Sequence, residues 1–337
     1  MRKNIKVCAA VSAAFLAILA GSTPGFAQDP LSGGAKDQIA IIQSLIQKKG
    51  AKWVAGETSL SNLSREELQY RVGLNFQPIT APPMEKPAVM APLPASLDWR
   101  DNNGNYVSAV TDQKKCGSCW AFAMTAGLES NVLRTQNNAG PVDLSEQVML
   151  SCSGVGSCNG GTLNADYLQK TGLPAESVYP YTATDGSCAT ATPGWESTAN
   201  KIASWGSVAK TVATIKTAIN AYGPLPTAFY VYEDFIHYKS GIYSYTTGKK
   251  LGGHAVLLVG YNDAEQYFIV KNSWGPGWGE DGFFRIAYSE MKNVVNFGLM
   301  TIAYRSKSAQ RGLETLNKAT DGLNADGRWG QVAPLFN

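Results

Sequence analysis

The sequence lacks the features of a nucleic-acid-binding or membrane-spanning protein. Its 29 lysines and arginines nearly balance 26 aspartates and glutamates, and the net charge is only +3 over 337 residues. The basic residues are scattered and not interleaved with aromatic residues, so a nucleic-acid partner is not expected. The apolar run at residues 7–20 is too short to cross about 30 Å of hydrocarbon, and no run of spanning length follows it.

Residues 1–27 instead have the pattern of an export signal. A basic start is followed by the apolar and small residues 7–20, and Gly25-Phe26-Ala27 then offers small residues at the two positions that a signal peptidase inspects. We expect cleavage after Ala27 and therefore a secreted or periplasmic protein.

Cysteine is scarce, and its count becomes odd once the export signal is removed. Of six cysteines, Cys8 leaves with the signal and five remain. In an oxidising compartment this leaves two disulfides and one free thiol, or a bridge to another molecule. A spare thiol on an exported protein is a liability, so we expect the free thiol to have a chemical role.

Residues 28–92, called the leading segment below, differ in pattern from the rest of the chain. Apolar residues recur with helical spacing over 35–49, and residues 64–67 fit a capping box that opens a second short helix. Prolines are then frequent between residues 78 and 94, which is typical of an extended, cleavable connection. We interpret the leading segment as a tethered helical module; the alternative is that it is a permanent part of the fold.

The next part of the chain, residues 93–304, has helix patterns first and strand patterns later. Helices are predicted over 119–136, 145–150, 162–170 and 211–221. Strands are predicted over 225–232, 254–261, 266–271, 282–288 and 298–304. This order is typical of an α+β fold with two lobes. The tail, residues 305–337, is polar, and its pattern assigns it no role.

Cys119 is positioned to act as a nucleophile. It stands at the predicted start of the long helix, where the helix dipole and unpaired N–H groups favour a thiolate. The thiolate also needs an imidazole, and the chain has two histidines. His254 follows Gly252-Gly253 at the mouth of a predicted strand, where the glycines would let another backbone approach closely. His237 lies on a predicted helical turn and is expected to be a packed or surface histidine.

Two further residues complete a constellation for acyl transfer. Asn272 ends the next predicted strand, so it should lie near His254 and orient the second ring nitrogen of that imidazole. Gln113 precedes the nucleophile by one short loop. Its side-chain amide and the backbone N–H of Cys119 could together stabilise the oxyanion of a tetrahedral intermediate.

This constellation resembles the active-site motif of the papain and cathepsin peptidases. Residues 113–122 read QKKCGSCWAF, and the histidine and asparagine follow at about the family's distance. Over residues 93–302, about two-thirds of the chain, further blocks resemble the same family: LSEQ at 144–147, CNGG at 158–161, GIY at 241–243, NSWG at 272–275 and GWG at 277–279.

The resemblance implies a fold, two disulfides and a mode of inhibition. The fold is papain-like α+β, with a helical N-terminal lobe, an antiparallel, barrel-like C-terminal lobe, and the active-site cleft between them. The disulfides are Cys116–Cys158 and Cys152–Cys188, which leaves Cys119 free. The leading segment resembles a short variant of the family's propeptide, so we expect it to lie along the cleft and block it until it is cut away.

The resemblance also implies a set of substrate-binding residues. The glycines Gly160 and Gly161 should pair with the substrate backbone, and Gly253 leaves room beside His254. Trp274 should cover the contact between His254 and Asn272, and Trp278 should flank the leaving-group side. The main specificity pocket is implied to be lined by residues that are small or apolar, namely Thr162, Leu163, Ala228, Gly252 and Ile302. We therefore predict a preference for an apolar side chain at P2, the second position before the cut.

Several alternatives remain open. Four cysteines, Cys116, Cys119, Cys152 and Cys158, could instead bind zinc. The chain could also be a catalytically inactive binding protein, or it could use the same site for exopeptidase cleavage or peptide ligation. An endopeptidase is favoured because no inserted histidine-rich loop of the kind that blocks the cleft in carboxydipeptidase relatives is present.

The sequence thus predicts a secreted, monomeric cysteine endopeptidase made as a zymogen. Its parts are a signal peptide (1–27), an inhibitory propeptide (28–92), a peptidase domain (93–304) and a tail of unassigned role (305–337). Its expected partners are a peptide or protein substrate and its own propeptide. No cofactor, metal, nucleic acid or remaining membrane anchor is expected.

Overall fold

The computed structural model describes residues 31, 33–84, 92–138 and 140–306. The predicted export signal and the tail from residue 307 onward lie outside the described residues. No helix in the described part of the chain is long and apolar enough to span a membrane.

Most of the helical residues lie in the first half of the chain. The helices are α1 (Ala35–Lys49), α2 (Arg65–Gln69), α3 (Cys119–Thr135), α4 (Glu146–Cys152), α5 (Asp166–Lys170) and α6 (Val212–Tyr222). Short 3-10 turns lie at Glu176–Val178, Cys188–Thr190, Trp195–Thr198, Glu233–His237 and Tyr288–Met291. Helix α5 begins later than predicted because Asn164 Oδ1 accepts the N–H of Asp166 at 2.9 Å, which starts the helix at that point.

The second half of the chain contributes most strands of the main sheet. The strands are β1 (Lys52–Ala55), β2 (Ser96–Asp98), β3 (Gly156–Ser157), β4 (Gly160–Gly161), β5 (Ser204–Ser207), β6 (Leu225–Tyr232), β7 (Tyr238–Tyr243), β8 (Lys250–Asn262), β9 (Tyr267–Lys271), β10 (Phe283–Ala287) and β11 (Ile302–Arg305). The main sheet has the order β1-β7-β10-β9-β8-β2, with β6 also paired to β8. Its pairs are antiparallel except β7 with β10, so the expected α+β fold is confirmed.

Helix α3 connects the two lobes. It packs against α4 in the helical lobe and against β6 and β8 of the sheet. Every residue from its start at Cys119 to Leu133 is buried, so this helix has no solvent-facing stripe. Small residues such as Ala121 and Ala123 allow this close packing on all sides. As a result, the N-terminus of α3 is held at the junction of the lobes.

The pattern-based prediction missed strand β7. Its Gly241 has a φ of +95°, a backbone conformation that breaks a regular strand pattern. A Cβ at Gly241 would lie 2.5 Å from the carbonyl oxygen of Lys52, so glycine also lets β1 approach. Strand β11 similarly begins later than predicted, after a turn at Gly298, which has a φ of +80°.

The leading segment adds a strand to the main sheet. Strand β1 pairs antiparallel with β7, and the indole of Trp53 packs edge-on against Tyr243 with ring centroids 5.2 Å apart. Trp53 Nε1 also donates to Thr246 Oγ1 at 3.2 Å. The side chain of Ile42 on α1 is fully buried in the same core. The segment is therefore held by apolar burial as well as by backbone pairing.

His237 is buried between the sheet lobe and the leading segment. Its Nε2–H donates to Gln38 Oε1 at 2.9 Å, and the Ser61 hydroxyl donates to its Nδ1 at 2.9 Å. Since Gln38 Nε2 donates to the carbonyls of Leu31 and Gly33, the amide oxygen is the atom that faces the histidine. Burial lowers the pKa of His237 from its usual 6.5 to about 4, so its imidazole is neutral at neutral pH.

The uncut chain should therefore lose stability in mild acid. A histidine with a depressed pKa in the folded state contributes stability above pH 6.5, and this contribution falls as the pH drops toward 4, because the unfolded chain then binds more protons. His237 should account for about 2–3 kcal/mol of this loss. The measurement is urea unfolding of the uncut Cys119→Ala chain at pH 7.5 and pH 4.5, with and without His237→Gln. An equal pH dependence in the two chains would contradict this role of His237.

Candidate active site

Cys119 is a free, fully buried cysteine at the first position of α3. The two disulfides implied by the resemblance are present, Cys116–Cys158 and Cys152–Cys188. They leave Cys119 as the one free cysteine among the described residues. The alternative zinc site is wrong, because three of the four thiols it would need are consumed in these disulfides.

The helix N-terminus and burial act on the Cys119 thiol in opposite directions. Burial is the larger effect, and it raises the pKa of Cys119 from 9.0 to about 11. The backbone amides of Ala255, Gly73, Trp120 and Cys119 itself lower this pKa. In the uncut chain the thiol is therefore protonated at neutral pH, although the donors that favour a thiolate are already in place.

His254 lies on β8, directly before Ala255, whose backbone amide faces the Cys119 thiol. Its Nε2–H donates to Asn272 Oδ1 at 2.7 Å. The same oxygen accepts the backbone N–H of Ser273 at 2.8 Å, which fixes the orientation of the Asn272 amide. His254 Nδ1 is buried and has no hydrogen-bond partner among the described residues. The ring nitrogen that Asn272 does not hold is thus available for another group.

The environment of His254 keeps its imidazole uncharged. Burial lowers the pKa of His254 to about 4, the hydrogen bond to Asn272 opposes this shift, and the positive charge of Arg71 adds to it. Arg71 belongs to the leading segment and is held by an ion pair with Asp112 at 2.5 Å. Trp274 stacks on the His254 ring with centroids 4.7 Å apart, and this contact excludes water from one face of the imidazole.

Gln113 is buried beside Cys119 with both ends of its amide bonded. Its Nε2 donates to the carbonyls of Cys116 at 3.0 Å and Tyr70 at 3.2 Å, while its Oε1 accepts the Ser273 hydroxyl at 2.8 Å. Tyr70 is in the leading segment, so the donor expected to face an oxyanion here faces a carbonyl oxygen of that segment. Ser273 was not singled out from the sequence; its place next to Asn272 was the available signal.

The leading segment passes over Cys119 along the cleft. Gly161 N–H donates to the Gly73 carbonyl at 2.9 Å, and Asn75 N–H donates to the Gly161 carbonyl at 2.7 Å. Leu74 N–H donates to the Gly253 carbonyl on the other side at 3.0 Å. Leu74 and Gly161 thus form a parallel bridge. A Cβ on Gly73 would lie 2.0 Å from the carbonyl oxygen of Gly117, so only glycine fits over the thiol.

Three of the residues expected to form the specificity pocket share an apolar cluster with one side chain of the leading segment. Leu74 is 5% exposed and belongs to the same buried apolar cluster as Leu163, Ala228 and Ile302. Gly252 is contacted by Val72, because a Cβ there would lie 2.8 Å from Val72 Cγ2. Thr162 lines an adjoining cavity of about 300 Å³ that also includes Gly160 and Gly161.

Trp278 lies deeper than the sequence suggested. It is fully buried, its Nε1 donates to the Ile236 carbonyl at 3.2 Å, and its ring packs edge-on against Trp274 at 4.9 Å. Phe235 lies 4.9 Å from Trp278 and 5.7 Å from Trp274, measured between ring centroids. In the uncut chain, therefore, Trp278 supports Trp274 from behind and is closed off from solvent.

Comparison with known proteins identifies close relatives of this fold and sequence. The family model described as "Papain family cysteine protease" matches residues 93–303. Cathepsin B-like CP2 of Giardia intestinalis is 38% identical over 58% of this chain and 69% of its own length. Ananain of Ananas comosus is 31% identical over 80% of this chain and 77% of its own.

Solved precursor structures share the fold. Digestive procathepsin L 3 of Tenebrio molitor larval midgut is similar with a TM-score of 0.68 and 26% identity, over 80% of this chain and 88% of its own. The recombinant stem bromelain precursor has a TM-score of 0.67 and 26% identity, over 81% and 90% of the two chains. The match thus extends beyond the region aligned to the family model and includes part of the leading segment.

Gly73→Ala should expose the thiol of the uncut chain. The added methyl cannot be accommodated against Gly117, and overpacking of this kind costs about 1–3 kcal/mol, which would raise the alkylation rate of Cys119 by about five- to 150-fold. The measurement is the rate of labelling by iodoacetamide at pH 7.5. Only molecules whose intact mass is that of the uncut protein are counted, and the labelled residue is located in them. Gly56→Ala is the matched control, because a Cβ there meets only Lys239 at an ordinary 3.4 Å. Equal labelling of the two variants would contradict the blocked arrangement.

Proposed function

Because the chain belongs to the papain family of cysteine proteases, and so hydrolyses peptide bonds with a cysteine nucleophile, we propose that it is the precursor of an exported endopeptidase whose nucleophile is Cys119. In this proposal residues 1–27 are the export signal, 28–92 the inhibitory propeptide and 93–304 the peptidase. His254 is the proton partner, Asn272 orients it, and Gln113 contributes to the oxyanion site.

The observation that carries this proposal is the direction in which the leading segment crosses the cleft. The Trp274 indole donates to the carbonyl of Arg71, and further along the segment Asn75 donates to Gly161. By resemblance, Gly161 binds the substrate before the scissile bond and the tryptophan side receives the leaving group. A substrate would therefore run from Gly161 toward Trp274, and the leading segment runs the opposite way.

A reversed backbone explains how an intact segment can occupy the cleft without being cut. The segment carbonyl that Gln113 holds belongs to Tyr70, whereas the segment residue whose amide faces the thiol is Gly73. No single peptide bond is therefore presented both to the nucleophile and to the oxyanion donor, and attack needs both. The segment occupies the site as an inhibitor and not as a substrate.

Removal of the leading segment would convert the neutral pair into a charged one. Burial is the main cause of the high pKa of Cys119 and of the low pKa of His254, and the segment also brings the charge of Arg71. When the segment leaves, water enters and Arg71 departs, so the pKa of the thiol falls and that of the imidazole rises. The amides at the start of α3 remain and favour the thiolate.

Catalysis then follows in two halves. The Cys119 thiolate attacks the peptide carbonyl carbon, and the oxyanion is held by the Gln113 amide and the Cys119 N–H. His254 gives its proton to the departing amine and leaves a thioester on Cys119. Water then adds to the thioester while His254 takes its proton, and the acid product leaves as the thiolate–imidazolium pair is restored. Asn272 holds Nε2 of the ring throughout.

The occupant of the pocket supports an apolar preference at P2. Leu74 stands at the position flanked by both Gly161 hydrogen bonds, and its side chain is buried with Leu163, Ala228 and Ile302. A charged side chain would lose its hydration among these residues without gaining a partner. We therefore expect leucine-like side chains to be accepted and charged ones rejected.

Endopeptidase action is favoured over exopeptidase action by the use of the histidines. A histidine-rich loop that blocks one end of the cleft would need several histidines, and the chain has only two. One is His254 on β8, and the other, His237, ends the 3-10 turn Glu233–His237. Neither lies on an inserted histidine-rich loop.

The proposal predicts cleavage within peptides that are blocked at both ends. The mature chain should hydrolyse acetylated, amidated peptides with leucine at P2 at least about tenfold faster, in kcat/KM, than peptides with arginine or glutamate there. The measurement is the hydrolysis of an internally quenched peptide panel, with the uncut chain and the mature Cys119→Ala chain as controls.

Three outcomes would count against the proposal. Cleavage only of peptides with a free terminus would favour an exopeptidase. Preference for arginine or glutamate would contradict the apolar pocket. Equal rates for the uncut and mature chains would show that the leading segment does not inhibit.

A further inference from the structure

We propose that Tyr230 and Lys250 form an additional subsite, which binds an aromatic side chain of the substrate at P4, the fourth position before the cut. The inference rests on the proposed function, since it assigns a specificity to the same cleft. It is drawn from a side chain of the leading segment that the family motifs do not explain, Phe76.

Phe76 is seated on an aromatic ring of the peptidase domain. Its ring centroid lies 4.6 Å from that of Tyr230, with the planes inclined at 59°. Lys250 Nζ lies 4.5 Å from the centroid of the same tyrosine ring. Tyr230 therefore contacts an aromatic ring and a cation, and both contacts are favourable for an electron-rich ring.

The sheet leaves a space for this ring. Tyr230 on β6 pairs with Gly253 on β8, and the two residues are neighbours on the rim of the cleft. A Cβ on Gly253 would lie 2.4 Å from the Leu74 carbonyl oxygen and 2.6 Å from Phe76 Cε2, so any other residue there would displace both the segment backbone and the ring. The φ angle of Gly253 is not positive, so its backbone conformation does not need a glycine. What the glycine provides is room for the leading segment to approach.

The position of the subsite follows from the direction of the leading segment. Leu74 occupies the P2 pocket, and alternate residues of an extended chain point to the same side, so Phe76 is the next side chain on that side. Because the segment runs opposite to a substrate, residues after Leu74 lie where substrate residues before P2 would lie. Phe76 thus takes the place of P4.

The subsite would remain after the propeptide is removed. Tyr230, Lys250 and Gly253 all belong to residues 93–304, and only Phe76 leaves. Tyr230 is half-buried, and its backbone is held by pairing with β8 and by its N–H, which donates to the Val295 carbonyl at 2.8 Å, so it needs no rearrangement to receive another ring. An aromatic side chain can stack on it as Phe76 does, whereas alanine would leave its face to water.

The test is a panel of blocked peptides with leucine fixed at P2 and with phenylalanine, tryptophan, alanine or glutamate at P4. The mature chain should cleave the aromatic P4 peptides with a kcat/KM roughly three- to tenfold above that of the alanine peptide. Tyr230→Ala removes the ring and should reduce this ratio to within about twofold. Tyr230→Phe loses only the hydroxyl and should keep the ratio. Tyr232→Ala is the matched control, because Tyr232 lies on the same strand but packs on Tyr245.

A binding measurement decides the question independently of catalysis. A synthetic peptide of residues 65–84 should inhibit or bind the mature chain roughly three- to tenfold more tightly than its Phe76→Ala form, and Tyr230→Ala in the protein should abolish this difference. Equal affinities of the two peptides, a P4 ratio near one, or a ratio unaffected by Tyr230→Ala would overturn the subsite. So would a preference for glutamate that Lys250→Ala removes. If no peptide were cleaved the proposed function would fail, and the binding measurement would still decide on Tyr230.

Discussion

The Cys119 thiol and the His254 imidazole are buried beneath the leading segment, whose backbone runs opposite to that of a substrate. The rest of the structure depends on this one constraint. Cys119 and His254 are both fully buried, and burial is the main cause of both pKa shifts. Burial removes the hydration that each charge needs, so the covered site is held in its neutral form. The groups that favour the charged form, the helix N-terminus and Asn272, are already positioned. The fold is therefore prepared for chemistry that its own leading segment prevents.

The leading segment is held by apolar and backbone contacts more than by charge. Its ion pairs, Arg65 with Glu233, Lys115 with Glu67 and Arg71 with Asp112, each include a solvent-exposed group and are each expected to be worth little. Burial of apolar side chains such as Leu74 and the strand pairing of β1 contribute more. Glycines allow the close approach, since both Gly73 and Gly253 lie where a Cβ would collide with the backbone opposite. His237 is buried beneath the segment in its neutral form, and burial lowers its pKa.

Local signals predicted much of the fold, and tertiary contacts account for what they missed. The periodic pattern located α1 and α3, and alternation located β6 and β9, because each of these is set by which residues face the core. Strand β7 was missed because its partner β1 lies almost two hundred residues away and Gly241 interrupts its pattern. For the site, the odd cysteine count and the helix start singled out Cys119. The contributions of Ser273, Arg71 and Tyr230 depend on neighbours distant in sequence, which no local pattern encodes.

The titration of His254 tests this account most directly. The chain has two histidines, so His237→Gln leaves a single imidazole whose NMR signal can be followed against pH in an untagged protein. We expect a pKa near 4 in the uncut chain and a pKa above the usual 6.5 once the leading segment is removed, with Cys119→Ser lowering the second value because it removes the neighbouring thiolate. The same pKa in both forms, or a value after removal that is insensitive to Cys119→Ser, would contradict the claim that the segment inhibits by keeping the pair uncharged.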